Sequence, residues 1–265
     1  MNKPAESGRV DALAYYEQQF TDRIAAALTP PAQPVVALDL TAGHGASTLA
    51  LLPRLPQGSR VVALSEDRAV LRVFHERLDP ALARVVFPRK EQRARLPFAR
   101  NVFAVAWASL ATDHFEDIRA TLRQALRVLQ PGGLLVVAAP LADTLLDLVN
   151  TISERMRADT QTMRALLART VALDLEAWRH TLERCGAIEV VAKASTFPLT
   201  LEPPLSSQPV LAQHLLPLWV GDDVAQQAKL LRLLDTHIDT PVPLTVHVGV
   251  LSGRRGMVDI DDSSD

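Results

Sequence analysis

Apolar residues recur at helical spacing near the start of the chain: Leu13, Tyr16, Phe20, Ile24 and Leu28 share one stripe, and Pro30-Pro31 ends the pattern. The spacing predicts an amphipathic helix over residues 10–28, within an N-terminal unit of 10–30. The period then changes. Residues 35–40 form a short apolar run containing Asp39, followed by Thr41-Ala42-Gly43-His44-Gly45 and a helical stretch to Leu52: strand, glycine turn, helix. Further strands are predicted at 61–64, 84–87, 102–107 and 134–139, the last after Pro131-Gly132-Gly133, with helices at 67–78 and 116–129 between them. The strand runs are nearly continuous in apolar residues, which suits strands covered on both faces. The βα alternation predicts a parallel sheet.

Beyond Pro140 the rhythm breaks. Residues 141–167 read as mostly helical, and a helix at 174–185 ends at Gly186 as a C-terminal cap. Two strands follow, 188–199 and 244–251, the second alternating as LTVHVGVL. Between them, 200–240 is an insertion expected over one end of the sheet. Its apolar segment Leu215-Leu216-Pro217-Leu218-Trp219-Val220 would form a wall of a binding site or an interface.

Composition narrows the partners. The chain has 265 residues, 28 basic against 30 acidic, a net charge of −2, so no global basic excess directs it to nucleic acid or an anionic membrane. A local cluster of Arg84, Arg89, Lys90, Arg93, Arg95 and Arg100, opposed by Glu91, is a solvated face or a dock for an anionic substrate, RNA or an acidic carrier protein. Cys185 is the sole cysteine, which excludes an intrachain disulfide and fits a reducing compartment. No apolar run approaches the roughly 18 residues that span a bilayer. The opening residues also lack the order of a secretory signal, so a cytoplasmic location is expected.

A strand ending in an acid, then a glycine turn and a helix, is an arrangement that binds polar or anionic ligands, with Gly43 and Gly45 letting the backbone come close. Taken alone, the motif is equally a tight turn with no ligand. The third glycine of a dinucleotide fingerprint is absent, with Thr48 in its place, which counts against a nicotinamide-dependent oxidoreductase.

A longer stretch is more specific. Leu96-Pro97-Phe98, the run from Asn101-Val102-Phe103 through Trp107 to Asp117, and Leu126-Arg127-Val128-Leu129-Gln130-Pro131-Gly132-Gly133-Leu134-Leu135-Val136-Val137 resemble the class I S-adenosylmethionine-dependent methyltransferase superfamily. The resemblance is strongest to its small-molecule branch. It implies a Rossmann-like α/β fold with a seven-stranded sheet, helices on both faces and an antiparallel last strand. A single domain would cover 1–254, with a cofactor-binding half at 35–140, a cover half at 141–254 and a disordered acidic tail at 255–265.

The resemblance also implies a cofactor site. Asp39, Thr41, Gly43, His44 and Gly45 would form the turn beside the methionine part of S-adenosylmethionine. Ser65 stands where relatives carry the ribose-binding acid, with Glu66 one residue late. Gln92 falls at the adenine-side acid, with Arg93 beside it, and Ala108 completes the set from the fourth strand. A carboxylate makes charge-assisted bonds to a diol that a serine hydroxyl cannot match, so these departures leave a lost cofactor site as the alternative. Asp113 and His114 are the candidates for chemistry, facing the methyl group and acceptor with His114 as general base. Their structural alternative is to cap the helix that begins near Glu116. Tyr15 and Tyr16 lie where relatives use a lid, with Tyr16 on the apolar stripe, and Trp107 reads as packing. The other histidines show no metal-ligand spacing.

Two functions stay open: a methyltransferase acting on a small or medium organic acceptor, and a catalytically inactive relative that binds a protein partner or a second copy of itself.

Overall fold

The computed structural model describes residues 11–111, 116–156, 173–221 and 223–257. Its centre is a seven-stranded sheet in the order β3-β2-β1-β4-β5-β7-β6. The strands are β1 (Val36–Asp39), β2 (Arg60–Ser65), β3 (Val86–Lys90), β4 (Phe103–Ser109), β5 (Leu129–Pro140), β6 (Ala187–Leu201) and β7 (Val242–Arg255). Neighbouring strands from β3 to β5 run parallel, and β7 runs antiparallel to both β5 and β6. That reversed strand is the one expected, and it argues against a doubly wound dinucleotide-binding sheet.

Eight helices among the described residues follow the chain: α1 (Ala12–Ala27), α2 (Ala46–Leu51), α3 (Arg68–Arg77), α4 (Ile118–Val128), α5 (Ala142–Met156), α6 (Leu175–Arg184), α7 (Leu216–Val220) and α8 (Val224–His237). Among these residues, no helix is long and apolar enough to cross a membrane.

Side chains alternate across the sheet with a period of two. Ala37, Val61, Val105, Trp107, Val136 and Val248 face one side, where α1 buries Tyr16, Phe20 and Ile24 and α5 buries Leu145, Leu148 and Ile152. Leu38, Leu64, Ala106, Ala108, Leu135 and Val137 face the other, under Leu122 and Leu126 of α4 and Trp178 and Leu182 of α6. At the C-terminal half of α1, Arg23 fastens the helix to the edge strand: Nε donates to Ser195 Oγ at 2.7 Å, and the guanidinium lies 5.1 Å from the Phe197 ring centre.

Three expectations change. The insertion lies against the first face of the sheet rather than over one end alone: Leu205, Val210, Leu211, Leu215, Leu216 and Trp219 are buried in the same core as α1. Its apolar segment is therefore core of this chain. Pro131-Gly132-Gly133 sits within β5 as an irregularity, where the register jumps from Phe103↔Leu129 to Val105↔Leu134 and Gly132 takes φ +74°. Finally, β7 runs on through Arg255, whose guanidinium is buried and donates to Asn101 Oδ1 and to the carbonyls of Arg127 and Leu129. The fold thus extends past residue 254. Residues 258–265 of the expected tail lie outside the described residues.

Candidate functional site

In an open α/β sheet, ligands collect at the C-terminal ends of the strands where the strand order reverses. Here β1 has β2 on one side and β4 on the other, with Asp39 level with Ala63 and Trp107. A cleft of about 640 Å³ opens above this point. Its floor is Thr41, Ala42, Gly43 and Ser47 with Ser109 at the end of β4. One flank is Ser65, Glu66, Asp67 and Arg93, and the opposite wall is the first turns of α1 with Gln213 and His214 of a π-helical turn. That volume lies within the usual 300–1,000 Å³ of small-ligand sites.

Asp39 organises the floor from beneath. Its carboxylate is fully buried: Oδ1 accepts the Thr41 N–H at 3.0 Å, and Oδ2 accepts Ser47 Oγ at 2.9 Å and Thr48 Oγ1 at 2.7 Å. The nearby Trp107 indole also favours the ionised form. Burial pushes the Asp39 pKa up, and the hydrogen bonds from Thr48, Thr41 and Ser47 oppose that rise. Thr41 continues the network upward, its hydroxyl accepting the Ser109 N–H at 2.7 Å and so tying the turn to β4. The Thr41 side chain therefore does structural work in the turn.

The two glycines of the turn differ. Gly43 has φ +51° and open space where a Cβ would stand, so the cleft reaches its backbone. Gly45 has φ +88°, and a Cβ there would fall 2.1 Å from the Phe74 ring of α3. Its lack of a side chain serves helix packing, not ligand approach. His44 is exposed on the rim, and its carbonyl accepts from Arg77 Nη1 at 3.2 Å.

On the flank, Ser65 is buried and its Oγ accepts the Asp67 N–H at 3.2 Å. Glu66 reaches across to residue 93, where Oε1 accepts both the backbone N–H at 3.1 Å and Nε of the Arg93 guanidinium at 3.0 Å. Gln92 is exposed and does not line the cleft. Ala108 points into the core on the opposite face of the sheet. Of the expected set, the structure brings together Thr41, Gly43, His44, Ser65, Glu66 and Arg93, with Asp39 beneath them. It leaves Gln92 and Ala108 apart.

Asp113 and His114 lie outside the described residues. The cap of the following helix is made by Asp117, whose Oδ1 accepts the Ala120 N–H at 2.9 Å. Tyr16 is wholly buried in the core, as its stripe predicts, and burial drives its phenol pKa upward. Tyr15 stays half-exposed, packed edge-on against Phe197 with ring centres 5.8 Å apart.

The missed participants are Ser47, Thr48 and Ser109; the α1 wall lies where the lid was expected, and Gln213 and His214 come from the insertion expected to form a wall. Strand parity carried one signal: Val105, Trp107 and Ser109 share a face with Asp39, whereas Ala108 does not.

Residues 38–137, the span that builds most of this cleft, match the methyltransferase domain family. A demethylmenaquinone methyltransferase from Corynebacterium kroppenstedtii is 36% identical over 107 residues, covering 40% of this chain and 42% of that protein. The uncharacterized protein YafE of Escherichia coli is 31% identical over 93 residues, covering 31% of this chain and 45% of that protein. These matches span less than half the length of either relative. Among solved structures, YcgJ of Bacillus subtilis superposes with a TM-score of 0.62 at 16% identity, covering 90% of this chain and 99% of that one, which shows a shared fold. The strand order and the reversed β7 give the chain the class I methyltransferase fold, and its residues 38–137 are similar to the methyltransferase domain family.

Proposed function

We propose that this protein transfers a methyl group from S-adenosylmethionine to a small or medium organic acceptor. The observation that carries the reading is the cleft at the β1/β4 switch point, built on a glycine turn whose Gly43 backbone is open to it. The cleft's size and the exposed Gly43 backbone fit such a cofactor. When bound, it would supply an electrophilic methyl on a sulfonium. The chain's own part is placement. Asp39, Ser47, Thr48 and Thr41 hold the turn in shape before any ligand arrives, so little ordering is left for binding to drive. Glu66 is the carboxylate nearest the expected ribose position. Asp113 and His114 would face the acceptor, His114 taking its proton.

Calorimetric titration with S-adenosylmethionine and S-adenosylhomocysteine tests the reading. Micromolar binding, lost in Gly43→Val, is expected, because a β-branched residue at φ +51° is strained and fills the open side. No binding at millimolar ligand would sink it. A second reading, a partner-binding relative without transfer, draws on Ser65 and Gln92, which place no carboxylate where the resemblance expects two. Binding without turnover across an acceptor panel, unaffected by His114→Ala, would favour it.

A further inference from the structure

Two side chains that line the same flank of the cleft are bonded to each other. Glu66 stands just past the end of β2, and Arg93 lies three residues past the end of β3. Both line the cleft, and they meet each other inside it. One carboxylate oxygen accepts two donors from the same residue, the backbone N–H at 3.1 Å and the guanidinium Nε at 3.0 Å. The Arg93 side chain is only 9% exposed, so water screens the pair weakly on that side.

This is the end where a nucleoside belongs. In sheets of this kind the ribose is met by an acid about 20 residues beyond the glycine turn, at the end of the second strand. Ser65 occupies that register, with its hydroxyl already accepting the Asp67 N–H. The adjacent carboxylate and the peptide N–H that faces it are committed to each other. A nucleoside entering this end meets a carboxylate oxygen and a peptide N–H that already hold each other as partners.

We propose that the Glu66–Arg93 pair is an internal latch that closes the nucleoside end of the cleft and must part before an adenosine-bearing ligand can seat. The inference rests on the methyltransferase reading above and adds a property to it: the resting site is self-occupied. The latch has a signature of opposite sign to that of ordinary structural support. Breaking a supporting ion pair weakens ligand binding, whereas opening a latch strengthens it.

The test is titration of S-adenosylhomocysteine into wild type, Glu66→Ala, Glu66→Gln and Arg93→Met, each first shown to be folded by its urea midpoint. Glu66→Ala and Arg93→Met should both bind about two- to fivefold tighter than wild type, the effect of releasing one partly exposed ion pair. Glu66→Gln, which still accepts from the residue 93 N–H, should gain less than Glu66→Ala. Weaker binding in Glu66→Ala would make Glu66 a ribose acceptor and overturn the latch. Unchanged affinity in both pair-breaking variants would overturn it too. If wild type binds and no variant gains, the latch alone fails. If none of the four binds at millimolar ligand, the methyltransferase reading fails with it.

Discussion

The two ends of the cleft are held together by different chemistry. At the β1 end a fully buried carboxylate, Asp39, gathers one peptide N–H and two hydroxyls beneath the cleft floor. At the β2 end a carboxylate whose side chain is 37% exposed pairs with a cation on the same flank of the site. Neutral donors around a buried acid cannot be exchanged for water without loss, so the first end is scaffold. A partly exposed ion pair contributes little to stability and can rearrange at small cost, so the second end is free to respond to a ligand. One end of the cleft therefore carries stability, and the other carries the proposed response to ligand.

The comparison can be broken at several points. Gly45→Val should do the most damage, roughly 2–5 kcal/mol by urea denaturation, because the new side chain meets the Phe74 ring in a backbone conformation it disfavours. Asp39→Ala strands three donors and should cost roughly 2–4 kcal/mol, with Asp39→Asn milder because it keeps one acceptor. Gly43→Ala, with open space and only the positive φ against it, should cost about 1–2 kcal/mol. Breaking the Glu66–Arg93 pair should change stability by less than about 1 kcal/mol while moving ligand affinity. A result in which the Glu66 variant destabilises more than the Asp39 variant would reverse the assignment of scaffold and responsive end.

Acidity sharpens the same contrast. Burial raises the Asp39 pKa in the folded protein, so between the ordinary carboxylate value of about 3.9 and its raised native value the folded state holds the proton more tightly than the unfolded chain. Ionising Asp39 therefore opposes folding. Its contribution to stability should grow as pH falls through that window and diminish as pH rises. Asp39→Asn should abolish this component of the pH dependence. A stability profile for Asp39→Asn that parallels wild type across the window would contradict it.

Much of the fold was legible because its strands are continuous apolar runs and its helices carry clear stripes. The β3 edge was placed early, at 84–87 against the observed Val86–Lys90, since an exposed edge strand bearing Pro88, Arg89 and Lys90 has little apolar pattern to read. The insertion was read as peripheral because short helices between prolines give no sign of which surface they cover; Leu215, Leu216 and Trp219 turned out to fill the core. In the site, the glycine turn was visible, but the partners of Asp39 were not. Ser47 and Thr48 look like ordinary first-turn helix residues until the turn folds them back over the strand end. Glu66 and Arg93 lie 27 positions apart, and only the parallel pairing of β2 with β3 brings them together.

The most direct test of the central claim is an amide chemical-shift titration of the labelled protein with S-adenosylhomocysteine. Saturable shifts concentrated at Gly43, His44, Glu66, Arg93 and Ser109 are predicted, with the β6 edge unmoved. Shifts elsewhere, or none at millimolar ligand, would show that this cleft is not where the cofactor binds.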